Sequence, residues 1–206
     1  QGQRLRAFDA PRLQRLLGLL VVRPYLQHRG RLAFELWPDS TEAQARTNLR
    51  KLLHEFRNAL PGVSEYVEID HEIVRWIPGA PAEVDVVRFG EALATGDLES
   101  ATRFYGGDLL PACYDDWVLE ERARLRAQVH SALIGLAEAA SAKGDREEAV
   151  RQAEQAIALD PTDETATRIQ MSIYLELGDR AAAARAYQRH ADALAEHLGV
   201  EPSGEI

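Results

Sequence analysis

Five acids fall within residues 108–121: Asp108, Asp115, Asp116, Glu120 and Glu121. Clustered carboxylates can hold a hard metal ion or work as an acid–base pair. Here the simpler reading is structural. Glu120 and Glu121 open a helix, where the helix dipole favours acids, and Asp115 or Asp116 suits its N-cap. No histidine sits at ligand spacing, and His130 lies in the apolar middle of that helix. The single cysteine, Cys113, has neither a CxxC partner nor an activating base nearby. The sequence contains no GxxxxGK[ST], no HExxH and no serine-elbow motif. No enzyme activity, metal or cofactor is therefore expected.

A second set of residues points to a polyanion. Stepping about 100° per residue along 40–60, Ala45, Leu49, Leu52, Leu53, Phe56 and Leu60 line up as a core face. Arg46, Thr47, Arg50, Lys51, His54, Arg57 and Asn58 fill an adjoining arc of about 140°, with only Ala43 among them. Glu55 lies on the far flank and Glu42 in the first turn. Such an arc suits a DNA major groove. Thr47, Arg50 and Lys51 are candidates for base edges, with Arg46 near the groove wall. Arg50 is the best candidate for a bidentate pair with guanine, and Thr47 could meet a thymine methyl. His54, Arg57 and Asn58 fit phosphates, which position a protein without reading sequence. A solvated surface is the competing reading for such a face, so the neighbouring elements have to decide.

The elements that would position this arc follow in chain order. Residues 1–9 are too short and polar to assign, although 5–8 could be a strand remnant. Helices are expected over 11–22 and 29–36. Asp39, with Glu42 three residues on, offers a capping box for a helix over 40–60, which Pro61-Gly62 ends. Two β-type runs, 66–69 and 73–77, flank the short link Asp70-His71-Glu72 and predict a hairpin. Within it, His71 and Arg75 are phosphate candidates. Trp76 is expected in the core, and Trp37 and Trp117 as packing anchors. Two helices, a longer basic-faced helix and a hairpin make up the order of a winged helix-turn-helix.

Composition divides the chain at Pro78-Gly79-Ala80-Pro81. Residues 1–79 hold 12 Lys/Arg against 9 Asp/Glu, whereas 80–206 hold 12 against 24. The first module tolerates polyanions and the second repels them. We therefore expect a DNA-binding domain over 1–79 and an all-helical domain over 80–206. The helical domain carries a spaced signature: Gly96-Asp97…Ala101, Gly144-Asp145…Ala149 and Gly178-Asp179…Ala183. The last two are 34 residues apart, the period of a tetratricopeptide repeat. Helix pairs are expected at 84–94 with 97–105, 115–142 with 145–159, and 163–177 with 179–197. No run approaches the ~20 apolar residues of a membrane span, and one cysteine in 206 residues fits a reducing cytoplasm.

The run LAFELWPDSTEAQARTNLRKLLHEFRNALP resembles the DNA-binding region of the Streptomyces antibiotic regulatory protein family, whose winged helix is of the OmpR type. The run VDVVRF…YGGDLLPACYDDWVLEERARLR, with GDREEAV and HLGVEPSGE, resembles the bacterial transcriptional activator domain of the same regulators. The likeness spans about residues 10–206. It implies a mostly α chain: a winged helix followed by a tetratricopeptide-like domain. It also implies an activator that binds promoter direct repeats and helps recruit RNA polymerase. Direct repeats could be filled by two protomers, so self-association is left open. OmpR-type domains begin with several strands, and only about nine residues precede the first helix here. The resemblance thus implies a trimmed or reduced N-terminal sheet, and a chain that could be part of a longer regulator. His28-Arg29 replaces the usual Ser-Arg at the second helix. The alternative from another class is a protein-interaction or signal-sensing scaffold that does not bind DNA.

Overall fold

The structure, a computed structural model, describes residues 10–25 and 27–204. The 5–8 segment expected as a strand remnant lies outside the described residues. Helices α1 (Pro11–Val22), α2 (Arg29–Leu36) and α3 (Glu42–Ala59) are joined by short links. Strands β1 (Gln27–His28), β2 (Val67–Ile69) and β3 (Ile73–Trp76) come next to them in space. Then follow α4 (Asp85–Thr95), α5 (Leu98–Phe104), α6 (Asp116–Ala142), α7 (Arg146–Leu159), α8 (Glu164–Glu176) and α9 (Arg180–His197). The chain forms two compact units interleaved in sequence: residues 1–88 with 107–122, and 89–106 with 123–206.

In the first unit, Leu13, Leu16 and Leu20 of α1 meet Leu32 and Leu36 of α2, and Leu49, Leu53 and Phe56 of α3. Leu16, Leu20, Leu32, Leu53 and Phe56 are fully buried, each contributing roughly 1.5–3 kcal/mol. Val67, Val74 and Trp76 close the same core from the sheet, as the alternation of β3 expects. The hairpin pairs Val67 with Trp76 and Ile69 with Val74. β1 adds a third antiparallel strand, with Gln27 opposite Val74, giving the order β1-β3-β2. Only the hairpin is legible in the sequence. β1 is two residues long, and its inward side chain is the polar Gln27, buried and donating to the Arg23 carbonyl at 3.2 Å.

α3 starts two residues later than its pattern implies. Its N-cap is Thr41, whose hydroxyl accepts from the Gln44 amide at 3.4 Å. The expected Asp39 cap is therefore corrected: Thr41 already stands one residue before the first helical turn, where a side-chain oxygen reaches the orphan amides.

Residues 107–122 join this unit through Trp117 and Val118, both in its core. Gly18 of α1 makes room for them: a Cβ there would lie 2.9 Å from Leu110 Cδ1 and 3.6 Å from Trp117 Cη2. Leu110 itself has φ +46, a conformation costly for a residue with a Cβ. Arg122 holds this stretch, its guanidinium donating to the carbonyls of Leu109 (2.6 Å), Leu110 and Cys113 (2.7 Å).

The second unit repeats one junction three times. Gly96, Gly144 and Gly178 take φ of +76, +78 and +75. Their amides bond back to Leu93, Ser141 and Leu175, and the following Asp97, Asp145 and Asp179 amides bond to Ala92, Ala140 and Tyr174. That pairing closes one helix. Each Asp side chain then caps the next helix, accepting from the amides of Ser100, Glu148 and Ala182 at 2.9–3.1 Å. Ala101, Ala149 and Ala183 are buried against the neighbouring helix, so the Gly-Asp…Ala spacing is a helix–turn–helix joint. Alanine dominates this core, with Ala153, Ala156, Ala166 and Ala186 also buried. α5 meets α6 at Gly135, where a Cβ would come within 3.0 Å of Leu98.

Candidate nucleic-acid interface

α3 buries Ala45, Leu49, Leu52, Leu53, Phe56 and Ala59, which turns the polar arc to solvent. Arg46, Arg50, Lys51, His54, Arg57 and Asn58 are exposed and Thr47 is half-buried. Their present partners lie mostly one turn away on the same helix. Arg46 pairs with Glu42 at 2.6 Å. Thr47 donates to the Ala43 carbonyl at 2.9 Å and accepts from Arg50 Nη2 at 3.3 Å. His54 and Asn58 are 3.2 Å apart. These are exposed local contacts of the kind that contribute a few tenths of a kcal/mol, so a phosphate or base edge can displace them.

The hairpin tip is tied to this helix and to α2. Arg57 Nη2 donates to the Ile69 carbonyl at 3.4 Å. The Arg29 amide donates to the Glu72 carbonyl at 2.8 Å, and its guanidinium to the Asp70 carbonyl at 3.0 Å. Asp70 organises the turn itself. Its carboxylate accepts the amides of Glu72 (2.6 Å) and Ile73 (3.3 Å). Those two bonds, the Glu72 amide first, hold its carboxyl below the ordinary range.

His71 stands exposed at the tip, between Asp70 (3.4 Å) and Glu72 (3.6 Å). Arg75 is placed differently. It is half-buried on β3 and engaged by Glu68 of β2, through Nε at 3.1 Å and Nη2 at 2.5 Å. Eight of the nine expected positions thus lie on or beside an open polar surface, whereas Arg75 is tied across the ladder. Arg29 was not among the expected residues. Its signal was only its place at the start of α2, since the link it makes to the hairpin is long-range.

Three of the five acids in 108–121 meet arginines. Arg15 pairs with Asp115, and Arg23 with Glu35, with Glu121 at 3.8 Å and Glu120 at 3.9 Å. Among the described residues no group of three or more His, Cys, Asp or Glu side chains is arranged to hold a metal. Cys113 is a free, half-buried thiol. Among the same residues no helix is long and apolar enough to cross a membrane.

The family described as "Bacterial transcriptional activator domain" matches residues 86–206, more than half of the chain. The chain belongs to that family. The activator-domain match takes in α4 to α9 with the Arg122-clamped stretch, and stops short of the α1–α3 and hairpin region. Among solved structures, EmbR of Mycobacterium tuberculosis, in complex with a low-affinity phosphopeptide, resembles the chain with a TM-score of 0.70 and 22% identity. The likeness covers 95% of this chain and 56% of EmbR, so the chain spans about half the length of that protein. At this identity the likeness is one of fold. No curated protein matches the chain.

Proposed function

We propose that the activator-domain chain is a sequence-specific DNA-binding transcriptional activator of the Streptomyces antibiotic regulatory type. In this reading α1–α3 and the β2–β3 hairpin form an OmpR-type winged helix within residues 1–79, with α3 in the major groove and the hairpin against the adjacent backbone. Within residues 80–206, the repeated helix pairs form a tetratricopeptide-like domain that carries activation, through RNA polymerase, a signalling region or a second protomer. The observation that carries this reading is the seven-residue polar arc of α3, from Arg46 to Asn58, exposed beside a hairpin tip tied to α2 and α3. Thr47, Arg50 and Lys51 face base edges and Arg46 the groove wall, while His54, Arg57, Asn58 and His71 hold phosphates. Residues 80–206 carry twice as many acids as bases, so attraction to DNA has to come chiefly from the arc and the tip.

The test is a titration of a promoter fragment containing direct repeats, at two salt concentrations. Binding should fall steeply with salt, and Arg50→Ala should relax the preference at one base pair. Equal binding by the wild type and an Arg46/Arg50/Lys51 triple alanine variant would remove the arc from the interface.

A further inference from the structure

A groove of about 640 Å³ lies on the first unit, on the outer side of α2. Arg31, Phe34 and Glu35 of α2 form one wall, opposite the face that buries Leu32, Ala33 and Leu36. The α2–α3 turn, Pro38-Asp39-Ser40, and residues 114–117 with Glu120 form the rest.

Two features coincide there. Two large aromatic side chains lie open to solvent, Phe34 at 67% and Tyr114 at 77%. Single exposed apolar residues are ordinary, but two aromatics lining one concave surface are the makings of an anchor site. In addition, the lining holds five acids against three arginines. Arg15 is taken by Asp115, and Arg23 chiefly by Glu35. Arg31 is then outnumbered by Asp39, Asp116 and Glu120, the last 3.9 Å from Arg23.

We propose that this groove is a docking site for a basic peptide segment of another protein, carrying an apolar anchor side chain. The anchor packs against Phe34 and Tyr114. Peptide carbonyls accept from Arg31, and Lys or Arg flanks meet Asp39, Asp116 and Glu120. A basic peptide supplies cationic flanks and an apolar group together, which neither an inorganic ion nor a hydrocarbon ligand does. The site is separate from the polar arc of α3, and its existence does not rest on the DNA-binding reading.

The experiment uses the whole 206-residue chain and an array of twelve-residue fluorescent peptides. One set carries Leu or Phe anchors flanked by Lys and Arg, a second has the flanks changed to Glu, and a third has the anchors changed to Ser. Polarisation titrations should rank the basic anchored set first. Phe34→Ala should weaken its best members about tenfold, a loss typical of an aromatic anchor, which separates the groove from general attraction to the acidic second unit. Tyr114→Ala removes the second aromatic at a side chain that is 77% exposed. It should weaken the same peptides severalfold while leaving the melting temperature nearly unchanged, because little buried surface is lost. The proposal is overturned if basic anchored peptides bind no better than the acidic or anchorless sets. It is equally overturned if Phe34→Ala leaves their affinity unchanged, whatever the DNA titrations show.

Discussion

Glu68 holds Arg75 across the β2–β3 ladder, accepting from Nε at 3.1 Å and from Nη2 at 2.5 Å. A guanidinium matched by a carboxylate has little net charge to offer a phosphate. Removing both, in Arg75→Ala with Glu68→Ala, takes away a neutral pair and should therefore leave DNA affinity within about twofold. Glu68→Gln alone should free a cation beside the hairpin and raise affinity most at low salt. Filter-binding curves for both variants at two ionic strengths check this. A large loss in the paired variant would return Arg75 to the interface.

Arg50 and Arg57 occupy the same helix, yet their substitutions should read differently. Arg50 stands about two turns into α3, its guanidinium donating to the Thr47 hydroxyl. Arg50→Ala should cost about 1–3 kcal/mol on the preferred site and relax one position. Arg57 lies in the last turn, against the Ile69 carbonyl. Arg57→Ala should weaken all sequences alike and reduce the salt slope by about one phosphate equivalent. Competition titrations with specific and random duplexes distinguish the two outcomes.

The hairpin turn should be sensitive to acid. Asp70 accepts two amides as a carboxylate, which lowers its carboxyl below the usual 3.8. A lowered native value means the unfolded turn binds the proton first as pH falls. The stabilisation is thus complete above the ordinary Asp range and is lost as pH drops through the depressed value. Amide exchange at Glu72 and Ile73 should be protected at pH 6 and lose that protection below about pH 4. In Asp70→Ala the protection should be weak throughout and nearly independent of pH. Unchanged protection in the variant would show that the side chain does not organise the turn.

Much of the second unit was legible because its signals are local. Gly178-Asp179…Ala183 names in sequence what the backbone does: a left-handed residue, a capping carboxylate and a small residue at a close contact. The third helix was legible for the same reason, through the period of Leu49, Leu52, Leu53 and Phe56. What escaped depends on residues far apart. β1 exists because Gln27 meets Val74, and a two-residue strand has no period to read. The charge change near Pro81 says nothing about residues 107–122, which pack with the first unit through Trp117, Val118 and the room left by Gly18. The engagement of Arg75 turns on a cross-strand register, which the hairpin prediction left open.

The repeated joints allow a direct comparison of glycines. Gly178 has φ +75, so Gly178→Ala should destabilise by about 1–2 kcal/mol. Asp179→Ala removes the cap on the Ala182 amide and should cost about 1 kcal/mol. Gly90, exposed within α4 with nothing within 4 Å of an added Cβ, should behave in reverse. Gly90→Ala should stabilise by about 0.5–1 kcal/mol through helix propensity. Thermal melts of the three variants should show two falls and one rise.

The central claim is that the exposed arc of α3 reads DNA sequence. Selection of bound duplexes from a random pool by the whole chain tests it most directly. The account predicts an enriched motif, arranged as a direct repeat, that Arg50→Ala degrades at one position of each half-site. Recovery of no motif, or of the same motif by the Arg46/Arg50/Lys51 triple alanine variant, would contradict it.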